Sequence, residues 1–74
     1  AKWMEEDIEI KIRNQKDEPV TVIAKEHLYR WSNWRISKNS SAYDKQDAHT
    51  VHFPVKLAKG AECIVRYTVR YTLQ

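Results

Sequence analysis

His49 and His52, with Asp44 and Asp47 just ahead of them, are the residues whose types could hold a metal ion. Ser40, Ser41, Asp47 and His49 supply the types of a nucleophile, a base and an orienting acid, and Cys63 with the histidines supplies a second such set. Neither chemistry has the spacing it needs. Side chains alternate along an extended segment, so histidines at i and i+3 diverge and cannot share one ion as a helical pair can. His27 would have to meet His52 across strands. The serine set has no nucleophile elbow and no glycine-rich oxyanion loop. Cys63 falls on the inward face of its segment, where a thiol acts as a small apolar group. The tripeptide at 39–41, "NSS", matches a glycosylation acceptor, a pattern common by chance. The expectation is a non-enzyme: no catalytic residue, no cofactor, no metal.

Recognition chemistry is better represented. The stretch "LYRWSNWRI", residues 28–36, holds two of the three tryptophans. Trp31 beside Arg30 and Arg35 could stack on a sugar or a base if it lies outside the core. Trp31 and Trp34 cannot form one flat platform on a strand, because i and i+3 point to opposite faces. Trp34 is expected to anchor the core on a central strand, while Trp31 either caps that core or stands exposed. A second candidate is the row Arg66, Thr68, Arg70 and Thr72, joined across the sheet by Lys56 and by Lys11 or Arg13. Such a face could contact a polyanion. The competing reading is a solvated face laced by cross-strand pairs through Glu9 and Glu62. A net charge of +3 with interspersed signs favours the latter and does not suggest nucleic acid. The candidate binding residues are therefore Arg30, Trp31, Arg35, Arg66 and Arg70.

The elements that would position these residues read as strands. In "DIEIKIRN", residues 7–14, Ile8, Ile10 and Ile12 alternate with Glu9, Lys11 and Arg13, which is period two. The polar "QKDEP" is a turn. Residues 20–29 begin with the same alternation and then blur at Ile23-Ala24, leaving Glu26 on the face of Val20 and Val22. A bulge there would move it out. Residues 34–38 make a short strand, and residues 39–48 a loop. Residues 50–57 set Val51, Phe53, Val55 and Leu57 on one face. Pro54 places that strand at an edge or a bend. Residues 62–74 alternate from Cys63 to Leu73, and a free edge on this last strand would allow a homodimer by strand addition.

The chain of 74 residues is one domain, 1–74. Chains this short bury only about 60% of their unfolded surface, and a single cysteine allows no internal disulfide. The aromatic residues must carry much of the burial. No apolar run approaches the ~20 residues of a membrane span, and "AKWMEED" does not read as a secretory leader. Short strands at this spacing predict an all-β fold, a small antiparallel sandwich of five to seven strands with immunoglobulin-like or fibronectin-like character.

The segments "EIKIRNQKDEPVTV", "EHLYRWSNW", "FPVKLAKGAE" and "VRYTVRYT" resemble the C-terminal β domain of the bacterial mucoidy inhibitor A-like family, over nearly the whole chain. The chain departs from that pattern at Leu73-Gln74, where an aromatic is usual, at the turn around Gly60, and at Cys63. The resemblance implies an immunoglobulin-like sandwich, the C-terminal piece of a larger, exported or periplasmic protein. It implies no active site. The expected role is a structural, protein-interaction module docking onto other domains of its parent or onto a protein partner. The alternative is a carbohydrate- or polyanion-binding module built on Trp31 and its arginines.

Overall fold

The computed structural model describes residues 2–30 and 33–73. Six strands follow in order: β1 (Lys2–Arg13), β2 (Val20–His27), β3 (Trp34–Asn39), β4 (Asp44–Lys45), β5 (Thr50–Leu57) and β6 (Glu62–Leu73). They form two antiparallel three-stranded sheets, ordered β1-β6-β3 and β2-β5-β4. Among the described residues there is no helix, and so none long and apolar enough to cross a membrane.

The alternation read from the sequence is the alternation of burial. Val51, Phe53, Val55 and Leu57 of β5 are buried, as are Val65, Tyr67, Val69 and Tyr71 of β6. These two rows, one from each sheet, form a single core with Ile12 and Leu28. Phe53 stacks on Tyr67 across it, with ring centroids 5.0 Å apart, and tilts against Tyr43 at 5.9 Å.

Several expectations are corrected. β1 starts at Lys2 rather than Asp7, and the loop at 39–48 contains the two-residue β4. β6 is no edge: β1 flanks it along its whole length and β3 flanks its second half. Trp34 packs on the core but from β3, an edge strand rather than a central one. The register of β2 on β5 runs unbroken from Val20↔Leu57 to His27↔Thr50, so the bulge expected near Ile23 is absent. The shift instead lies in β3, between Ile36 and Lys38.

β5 is central in its sheet rather than the edge strand expected from Pro54, and the proline is tolerated there for a local reason. The carbonyl of Thr50 accepts from Gln46 on the β4 side. Backbone groups alternate sides along a strand, so Pro54 also faces that side. β4 pairs only with Val51 and His52, which leaves the flank at Pro54 open and its missing N–H harmless.

The two sheets differ in length. β1 and β6 have 12 residues each, β2 and β5 only 8. Asn14 ties the end of β1 to Leu57 and Ala58 at the end of β5. The surplus therefore projects at the other end, over Lys2–Glu5 of β1. The molecule is elongated accordingly, 49 × 20 × 15 Å.

Candidate functional site

Beside the projecting end, charged side chains of β1, β2 and the loop after β2 meet two tyrosines of the core. Glu26 is on the inward face of β2 because the unbroken register keeps it with Val20, Val22 and Ala24. A carboxylate cannot be left there without a donor. The hydroxyl of Tyr67 donates to it at 2.8 Å. Glu6, on the inward face of β1, receives the Nε–H of Arg30 at 2.6 Å. Glu6, Glu26, His27, Arg30, Tyr67 and Tyr71 line a small cavity of about 140 Å³ where β1 faces β2.

The charges in this seam act on the tyrosines. Burial first, then the hydrogen bond to Glu26, holds the Tyr67 hydroxyl well above its ordinary pKa. Burial, with Glu6 nearby, also raises Tyr71. The hydrogen bond and charge of Glu6 raise Arg30, which stays a cation. The seam thus holds two separate polar pairs, Tyr67 with Glu26 and Arg30 with Glu6, beside the Tyr71 ring.

A raised tyrosine pKa means the folded state keeps a proton the unfolded state releases. That stability is complete below about pH 10, the ordinary value for tyrosine, and is lost as pH rises above it. Tyr67→Phe removes the donor to Glu26 and is expected to cost about 1.5–3 kcal/mol at neutral pH, the range for a hydrogen bond to a charged group. It is also expected to flatten the alkaline loss of stability. Urea titrations between neutral and strongly alkaline pH check both.

The outer face of the longer sheet carries the other candidates. Arg66 donates from Nε to Glu9 at 2.9 Å, and Glu62 lies opposite Arg13 in register. Arg70 stacks on the ring of Trp3, 4.0 Å from its centroid, and stands between Glu5 on one side and Arg35 on the other. Lys56 does not join this face, because β5 belongs to the other sheet. Lys11 and Arg13 are on it, but towards the end away from Arg70. Arg35, Arg66 and Arg70 therefore share one face, while Arg30 serves the inner seam. Trp31 lies outside the described residues.

Of the residues considered for metal and nucleophile chemistry, Asp47 and His49 build a turn, and Ser40 bonds to the backbone of Arg66 on β6. Asp47 accepts the backbone N–H of His49 at 2.8 Å, and this hydrogen bond lowers its pKa. The Nδ1 of His49 lies 3.3 Å from the carbonyl of Leu28. His27 faces Thr50, and His52 faces Lys25, so the two histidines do not meet. Among the described residues, no group of three His, Cys, Asp or Glu side chains converges to hold a metal ion. Cys63 is half-buried against the core.

Sequence reasoning missed the Glu26–Tyr67 pair and Trp3. The signal for the first was present: Glu26 held its place in an apolar alternation, which marks a carboxylate awaiting an inward donor. Trp3 had no such signal, since β1 begins in a run of charged residues that hides its pairing.

No family model, no curated protein and no solved structure matches this chain.

Proposed function

We propose that the chain is a non-catalytic protein-interaction module, an immunoglobulin-like β-sandwich belonging to a larger bacterial protein of the mucoidy inhibitor A-like kind. One observation carries the docking reading. The end where the longer sheet outruns the shorter presents Tyr29 (79% exposed) and Met4 on the side of the Arg30–Glu6 pair, and Trp3 (54% exposed) on the outer face against Arg70. Tyrosine, tryptophan and arginine are the residue types that dominate protein interfaces. The surface area agrees. The chain exposes 5414 Å², against about 4,800 Å² for a compact monomer of its mass.

The partner in this reading is a folded protein surface, either another domain of the parent or a separate chain. Hydroxyl-radical footprinting of Trp3, Met4 and Tyr29, in the isolated domain and in the parent protein, tests it. Protection of all three in the parent is the expected result. Equal reactivity in both overturns it.

A second reading, a carbohydrate- or polyanion-binding module, draws on Arg35 and Arg70. They are like charges set directly opposite on one face, and Glu5, opposite Arg70 on its other side, offsets only one of the two. Titration with a sulfated polysaccharide distinguishes the two. Polyanion binding weakens steeply with salt and is lost in Arg35→Glu, whereas apolar docking is insensitive to both.

A further inference from the structure

We propose that two copies of this chain associate antiparallel through β1, with the two-fold axis at Ile10, joining their longer sheets into one six-stranded sheet. The observation is the self-complementarity of the stretch "DIEIKIR", Asp7–Arg13, on an edge strand. Pairing it with itself about Ile10 sets Asp7 opposite Arg13 and Glu9 opposite Lys11 on the outer face. On the inner face it sets Ile8 opposite Ile12 and Ile10 opposite Ile10.

The backbone is arranged for this register. The N–H of Asn14 donates to Ala61 of the β6 side. By alternation, the even-numbered residues of β1 face β6, and Asp7, Glu9, Lys11 and Arg13 direct their N–H and C=O groups to the open flank. The proposed pairing therefore joins exactly those residues as hydrogen-bonded pairs. Slipping by two residues one way places Glu9 opposite Glu9. Slipping the other way places Lys11 opposite Lys11. Like charges directly opposite are destabilising, so one register is singled out.

The four sheet edges are not equally guarded. β3 carries a register shift and β4 has only two residues, both features that blunt an edge. β2 is regular, but its outer row of Thr21, Ile23, Lys25 and His27 has no carboxylate to answer its cations. β1 has 12 residues with unbroken register and no proline. Its charges are of the kind that shield an edge from indiscriminate pairing. Their order, acidic and then basic, makes them complementary to a second copy. Glu9 keeps its bond to Arg66 on the outer face, and its second oxygen is free to meet Lys11 of the other copy.

The inference is independent of the docking reading above, which concerns the projecting end. Sedimentation equilibrium over a wide concentration range tests it. The wild-type chain is expected to reach twice the monomer mass in low salt, with association weakening as salt screens the pairs. Lys11→Glu faces only Ile64 within its own sheet, so it is expected to fold normally, by circular dichroism, and to remain monomeric. Glu9→Lys is expected to be monomeric as well. An equimolar mixture of the two variants is expected to recover the dimer, since each reversed charge meets its complement. Should Glu9→Lys fail to fold, Ile10→Cys in a Cys63→Ser background replaces the mixing experiment. A non-hydrogen-bonded pair brings the Cα atoms to about 4.5 Å, within disulfide span, so oxidation is expected to yield a covalent dimer. A wild-type chain monomeric at every concentration, a Lys11→Glu variant as dimeric as wild type, or neither rescue nor cross-linking overturns the proposal.

Discussion

Phe53→Ala is expected to destabilise the chain by about 3–5 kcal/mol, the range for removing a buried aromatic. Phe53 is fully buried between Tyr43 and Tyr67. Its partners come from both sheets and from the loop before β4, so the cavity would open where the sheets meet. Neither Tyr67 nor Tyr43 can fill it cheaply. Tyr67 is held by its hydroxyl to Glu26, and moving it would strand that carboxylate. The magnitude matters because the whole fold is small. At typical values per residue, 74 residues support roughly 4–11 kcal/mol. Chemical denaturation is therefore expected to show a variant near the edge of folding. A loss below about 1 kcal/mol would mean the two sheets do not share this core.

Asn14→Ala is expected to cost about 2–4 kcal/mol, through hydrogen bonds rather than volume. Asn14 is buried. Its amide donates to the carbonyls of Glu18 at 2.8 Å and Ala58 at 3.0 Å, with Leu57 at 3.4 Å. Its oxygen accepts the N–H of Lys16 at 2.9 Å. One side chain thus closes the turn after β1 and binds it to the turn between β5 and β6. Alanine would leave these backbone groups without partners in a place water reaches poorly, and each such group is costly. Asn14→Asp separates shape from donation. It keeps the volume and the acceptor for Lys16 but points a carboxylate at carbonyl oxygens. It is expected to be at least as damaging at neutral pH, and to recover partly in acid as the carboxyl regains a proton. Thermal unfolding of the three proteins at neutral and acid pH checks the order.

How much of this was open to reading from the residues depends on the range of the interaction concerned. Strand β5 was bounded to the residue, at Thr50–Leu57, because its alternation is strict and Pro54 and the turn at Gly60 are local signals. The inward row of β6 followed for the same reason. The candidate residues fared differently. Arg66 and Arg70 were placed on an outer face by parity alone, and that is where they lie. Their partners were not readable. Glu9 and Trp3 are far from them in sequence, and only the β1–β6 register brings them together. Arg30 was grouped with Arg35 by proximity in the chain, yet it pairs with Glu6 at the exposed rim of the seam while Arg35 lies on the sheet opposite Arg70.

Glu26 shows the boundary most clearly. Period-two reasoning put a carboxylate on the apolar face and called for a bulge to remove it. Packing supplied a phenol from the opposite sheet instead. The residues alone determine which positions alternate, where turns must fall and which side chains share a face, since these follow from strand geometry over a few neighbours. They also contain the charge order of Asp7–Arg13, which any antiparallel self-pairing would read. The tertiary structure decides which strands are edges. It moves β6 to the centre of its sheet and leaves β1 outside. It also decides which buried polar group meets which donor. Both depend on pairings between segments up to the length of the chain apart, whose free energy comes from shared burial and cross-strand contact rather than from local preference.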